Sequence, residues 1–219
     1  MITVGIATVP IRKESFLLTI NSIIDQVDRV FVALNDYTEI PQELKDNPKI
    51  HCDILDNSLG DSAKILHAKD HDCYFFSVDD DLEYPKGYCE YMISKIEQYG
   101  CIVTLHGRKF NNRPLKSCRR GFSLNYHCLH SYNYDAELDI GGSGVMAYHT
   151  SFFKPDVNEH KVKNMCDIWI AKQAHKRGVK IMGVAHIGTY LKYLNPQETI
   201  WQTCKIDGYM TQIANSFLK

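Results

Sequence analysis

Three consecutive aspartates, Asp79, Asp80 and Asp81, carry the strongest chemical signal in the chain. They close the apolar run Tyr74-Phe-Phe-Ser-Val and are followed by Leu-Glu-Tyr-Pro85, which halts it. Adjacent carboxylates repel one another, and the end of a buried strand offers little water to screen them, so the arrangement calls for a cation. Hard oxygen donors suit Mg2+ or Mn2+, and a site with few protein ligands leaves positions open for phosphate oxygens. A metal bridging a diphosphate stabilises the charge that develops as a nucleotide leaves. The bland alternative is a solvated acidic turn with one aspartate as a helix N-cap.

Two other stretches invite chemistry. Gly141-Gly-Ser-Gly144 lets backbone approach a ligand closely, so Gly142 and Ser143 are expected to line a donor-sugar or acceptor pocket. It lacks the spacing of a dinucleotide loop, and a tight turn is its alternative. Between Glu97 and Asp135 there is no acidic residue, while Arg108, Lys109, Arg113, Lys116, Arg119 and Arg120 alternate with aromatics. Such a stretch could hold an anionic or lipid-linked glycan acceptor, or the backbone of DNA. Most of these charges read as a solvated surface, with His106 and Arg108, placed just after a strand, as the two that face a pocket.

The elements that must position these groups follow from periodicity. Ile2–Ala7, Val30–Leu34, Ile50–Leu55 and Cys73–Val78 read as strands. Helical patterns at Ser15–Gln26 and Ser62–Ala68 fall between them, which predicts an α/β fold with a mostly parallel sheet flanked by helices. Ligands of such sheets bind beyond the carboxyl ends of the strands, where Thr8, Asn35, Asp36, Asp56 and Asp79 fall. Further strands are expected at Ile102–Leu105, Val145–Tyr148 and Val179–Ala185. Helices are expected at Cys166–Lys176 and from Pro196 onward, and Gly60 reads as a turn glycine.

With 219 residues, 44% hydrophobic and 23% charged, the chain suits one sizeable α/β core. Its net charge of -1 creates no overall field for nucleic acid or membrane, so any such partner needs a local patch. The eight cysteines form no Cys-x-x-Cys pair and read as reduced packing residues. A strand pattern starting at Ile2 and the lack of a bilayer-length apolar run predict a cytoplasmic protein, with any membrane contact peripheral at the inner face. Oligomeric state is not readable.

On these residues the sequence resembles the GT-A (Rossmann-like) glycosyltransferases, family-2-like, over roughly residues 1–190. The matching pieces are Ile6-Ala-Thr-Val-Pro-Ile-Arg12, Gly60-Asp-Ser-Ala-Lys64, Val78-Asp-Asp-Asp-Leu-Glu-Tyr-Pro85, Gly141-Gly-Ser-Gly-Val-Met-Ala-Tyr148 and Asn164-Met-Cys-Asp-Ile-Trp169. The third looks like the family's Asp-x-Asp metal motif. The resemblance implies a single domain over 1–219. Residues 1–100 would be a nucleotide-sugar half, 101–190 an acceptor and catalytic half, and 191–219 a C-terminal helical segment. It implies a nucleotide diphosphate-sugar donor, with UDP the fold's habit, and a hydroxyl acceptor. Ala7, Thr8 and Arg12 would border base and ribose, with Asn35 or Asp36 at their edge. Asp61 and Lys64 would sit near the nucleotide, Lys64 at the diphosphate. Asp79, Asp80 and Asp81 would hold ribose and metal, with His186, or less well His149, as a late metal or phosphate contact. Asp167, in the first turn of a helix whose dipole keeps it ionised, would be the general base of an inverting reaction. Trp169 would stack on a sugar, although a first-turn acid and a core tryptophan are also ordinary structural features. Cys166 stands where the commoner Glu-Asp pair would have its glutamate. The rivals are a phage-type sugar transferase acting on DNA, a nucleotidyltransferase and a non-catalytic module. The missing glycine in Thr8-Val-Pro-Ile-Arg12 argues against the nucleotidyltransferase.

Overall fold

Phe75 and Phe76 are neighbours in β4 (Tyr74–Val78) and are both fully buried. Successive strand residues face opposite sides of a sheet, so both can be buried only if helices cover the sheet on each side. That is the architecture of this protein, described here from a computed structural model for residues 1–195 and 207–218.

β1 (Ile2–Thr8), β2 (Arg29–Asn35) and β3 (Ile50–Leu55) lie parallel beside β4. The eight-stranded sheet continues past β4 in the order β3-β2-β1-β4-β11-β6-β12-β9. Here β6 is Ile102–Thr104, β9 Ala136–Leu138, β11 Val145–His149 and β12 Ile181–Gly183. β11 enters antiparallel between β4 and β6, and β9 closes the edge antiparallel to β12. Both halves of the chain therefore share one large mixed, mostly parallel sheet. One face packs on α1 (Lys13–Ile23) and α3 (Tyr88–Tyr99) through Phe16, Ile20, Tyr88 and Met92. The other packs on α4 (Cys166–Lys176) and α5 (Asp207–Phe217) through Ile168, Trp169, Ile213 and Ala214. A short α2 (Gln42–Lys45) lies before β3. β5 (Leu82–Glu83) pairs with β13 (Lys192–Tyr193), while β7 (Gly107–Lys109) pairs with β8 (Leu124–Tyr126) and β10 (Ile140–Gly141).

Several boundaries differ from expectation. The helical pattern at 62–68 is a 3-10 turn at Gly60–Ile65. It lies so close to β1 that a Cβ on Gly5 would stand 1.8 Å from the Lys64 carbonyl oxygen. α1 stops at Ile23 and tightens into a 3-10 turn through Gln26. The strand expected at 179–185 is paired only over Ile181–Gly183. Part of the C-terminal helical expectation, 196–206, lies outside the described residues, but α5 falls within it. The seven described cysteines are unbridged, and six of them are buried. No helix among the described residues is long and apolar enough to cross a membrane.

Candidate functional site

The register of β11 on β4 explains why the acidic triplet meets the glycine cluster. Val145 pairs with Val78, so Gly144 and Asp79 face each other one step beyond, and the Asp79 amide donates to the Gly144 carbonyl at 3.2 Å. Around this junction a cleft opens in two lobes of about 400 and 350 Å3. The first is walled by Ala7, Thr8, Arg12, Asn35, Asp61 and Lys64, and the second by His127, Cys128, Gly142 and Tyr193. Asp79, Asp81, His106, Ser143 and Asp167 border both.

Within the junction two protein cations lie among the aspartates. Arg12, presented by the 3-10 turn after β1, places Nη2 2.7 Å from both Asp80 Oδ1 and Asp81 Oδ2. Lys64 Nζ sits 2.6 Å from Asp79 Oδ1 with its side chain only 3% exposed. Two protein cations thus stand against three carboxylates, and Asp61 and Asp167 add to the surplus of negative charge. The other oxygens of Asp79 and Asp81 accept no hydrogen bond from the described residues.

Desolvation dominates the ionisation of these groups. It opposes the charge on Asp79, but Lys64 and Arg12 outweigh it and hold that carboxyl below its ordinary range. Burial pushes Asp80 up to about 7 despite Arg12, with repulsion from Asp81 adding to the rise. Burial, and then the charge of Asp79, lifts Asp81 to about 6. Burial also lifts Asp61 to about 6, against the pull of Lys64. Burial drags His106 down to about 4, so its imidazole is neutral at pH 7.

Asp61 reaches from its 3-10 turn to the start of α4, where its Oδ2 accepts from the Cys166 amide at 3.2 Å. It therefore satisfies one of the orphan donors of that helix while lining the first lobe. Asp167, in the first turn of α4, accepts from the Ser143 amide at 2.7 Å through Oδ1, which aims the carboxylate at the junction. Asn35, at the end of β2, donates to the Gly60 carbonyl at 3.1 Å. Its Oδ1 is buried without a hydrogen-bond partner among the described residues. Gly60 is more than the turn glycine expected. Its φ is +56°, and a Cβ there would stand 2.3 Å from Asn164 Oδ1.

Other expected residues lie elsewhere. Asp36 is exposed outside the cleft and accepts from Asn57 Nδ2 at 2.8 Å. Trp169 is a core side chain. Its Nε1 donates to the Val162 carbonyl at 3.0 Å, and its ring stacks on His160 rather than facing the cleft. His186 is buried next to Tyr126 and Tyr132, with ring nitrogens 2.8 Å from the Val184 carbonyl and 3.3 Å from the His127 carbonyl. It borders neither lobe, so it does not complete a metal site with the triplet. His149 pairs with Tyr74, at the far end of β4 from Asp79, because β11 runs antiparallel. Of the basic stretch, Arg108 and Arg119 reach the first lobe, while Arg113 pairs with Asp139 at 2.8 Å. Met210 of α5 and Tyr193 also wall the cleft, unforeseen from the sequence. No motif marks them, because they arrive through long-range packing.

Among the described residues, two groups of three bring metal-type ligand atoms within 4.8 Å of one another: His106 with His127 and Cys128, and His51 with Asp53 and His67. The acidic triplet is not among them, so its carboxylates do not form a ready-made cage. No family model matches the sequence, and no curated protein matches it.

Proposed function

We propose that this cleft is the active site of a GT-A-type glycosyltransferase that moves a sugar from a nucleotide diphosphate-sugar to an acceptor hydroxyl. One observation carries the reading. The paired acidic groups that suit a diphosphate-bound cation (Asp79 and Asp81) and the candidate base (Asp167) border both lobes of one cleft, beyond the carboxyl ends of the parallel strands β1 and β4. A donor in one lobe and an acceptor in the other would meet at that border.

The residues present fit a divalent ion such as Mn2+ or Mg2+. Asp79 and Asp81 each keep one oxygen free of hydrogen bonds from the described residues, and the carboxylates outnumber the cations around them. Such an ion would supply positive charge to the departing diphosphate. Nucleoside recognition falls to the first lobe, where Asn35 Oδ1 offers a buried acceptor and Ala7 and Thr8 offer a wall at the end of β1. Arg12 and Lys64 hold the aspartates in place and temper their repulsion. Arg108 and Arg119 line the same lobe, and their guanidinium groups suit the phosphate oxygens of the donor.

In the transfer step the acceptor oxygen forms a bond to the anomeric carbon as the bond to the diphosphate breaks. The acceptor proton passes to Asp167 through Oδ2, since the Ser143 amide occupies Oδ1. The nucleotide leaves as its diphosphate. A single direct displacement by the acceptor oxygen inverts the anomeric centre.

Hydrolysis and transfer from a panel of nucleotide sugars with Mn2+ test the reading. Replacement of Asp167 with Asn is expected to lower turnover by about 10²–10⁴-fold while nucleotide still binds. Full turnover in that variant would remove the base, and absence of metal-dependent nucleotide binding by the wild type would remove the donor site.

A further inference from the structure

The hairpin of β7 and β8 pairs Gly107 with Tyr126. One step beyond that pair, the same register sets His106 against His127, and their ring centroids lie 5.1 Å apart. Cys128 follows directly, and the ligand atoms of all three residues lie within 4.8 Å of one another. We propose that His106, His127 and Cys128 form a binding site for a soft divalent cation of the zinc class in the second lobe of the cleft.

The donor set is what separates this site from the acidic triplet. Two imidazoles and a thiolate select Zn2+ or Co2+, whereas carboxylates alone suit Mg2+ or Mn2+. Zinc bonds of about 2.0–2.3 Å require ligand atoms about 3.6 Å apart. The present spacing needs an adjustment of about 1 Å, within reach of small side-chain rotations. Three protein ligands leave a fourth position facing the open lobe, as in zinc sites that take water or a further ligand.

The surroundings restrict two of the three side chains. His106 packs over Gly142, where a Cβ would stand 2.8 Å from its own Cβ. His127 stacks on His130 at 4.6 Å. Binding through Nε2 of His127 puts its proton on Nδ1, at the expense of one long contact of 3.3 Å from the Leu129 amide. The rival group on β3 is a poorer candidate. Both nitrogens of His67 are already held by carboxylates, Asp53 at 2.8 Å and Asp70 at 2.9 Å.

Binding requires no donor, acceptor or turnover, so the test is independent of the proposed transfer reaction. The full chain, kept reduced with a non-chelating phosphine, is titrated with Co2+ and then with Zn2+. The expected result is a thiolate-to-cobalt charge-transfer band that saturates near one equivalent and disappears as Zn2+ displaces Co2+. Cys128→Ser is expected to lose the band. His127→Gln, which alters a half-buried ring and spares the buried thiol, is expected to weaken Co2+ binding by more than about tenfold. Asp81→Asn is expected to keep the band. No band in the wild type, a band that survives Cys128→Ser, or one lost in Asp81→Asn would each overturn the assignment.

Discussion

Asp79 Oδ2 occupies the space where a side chain at position 144 would begin: a Cβ on Gly144 would stand 1.9 Å from it. The carboxylate can lean across the sheet, toward the border of the two lobes, only because residue 144 is glycine. The Tyr84 hydroxyl completes the junction, since it donates to the Gly144 carbonyl at 2.5 Å and lies 3.0 Å from the Asp79 amide.

Gly144→Ala is therefore expected to drive the Asp79 side chain from its place. Overpacking of this kind costs about 1–3 kcal/mol. The sharper readout is the rise in melting temperature on adding Mn2+ with a nucleoside diphosphate, which should shrink toward zero in the variant. An undiminished rise would show that Asp79 takes no part in holding the cation.

Arg12 pairs with Asp80 and Asp81 together, and although burial opposes its charge, the two carboxylates hold it more firmly. Arg12→Gln leaves the buried Asp80 and the half-buried Asp81 without their partner, a change that costs about 3–5 kcal/mol in fully buried pairs and less where a carboxylate keeps water. Chemical denaturation at pH 8 should show the loss. At pH 5 it should be smaller, because the two acids can then protonate. Equal losses at both values would contradict the role given to Arg12.

Asp80 supplies a pH dependence of definite sign. Its folded pKa is raised to about 7, so between about pH 4 and 7 the folded state binds a proton that the unfolded state has released. Stability from this group therefore declines as pH rises through that window. The melting temperature of the wild type minus that of Asp80→Asn should fall between pH 4 and pH 7. Acid-sensitive histidines such as His160, drawn down to about 4 by burial, act in the opposite direction but cancel in the difference. A difference independent of pH would mean that Asp80 titrates as an ordinary aspartate.

Trp169 should behave as a core residue. Trp169→Phe removes the hydrogen bond to Val162 and some buried volume, for an expected cost of about 1–2 kcal/mol. Donor binding and acceptor KM should stay as in the wild type. A raised acceptor KM at unchanged stability would restore the sugar-stacking role.

The sequence by itself determined the layered α/β arrangement, because alternating strand and helix periods admit few topologies once each apolar face must be buried. It also determined that Asp79 lies at the carboxyl end of a strand and Asp167 in the first turn of a helix, since both are local positions. What partnered those residues was decided by tertiary structure. The antiparallel entry of β11 brought Gly144 to Asp79 and carried His149 to the far end of β4. Packing of α4 turned Trp169 inward, and the 3-10 turns delivered Arg12 and Lys64 to the aspartates rather than to open solvent. Periodicity records which face of an element is apolar. It does not record which distant element meets that face, and an ion pair between residues 12 and 81 leaves no local trace in the chain.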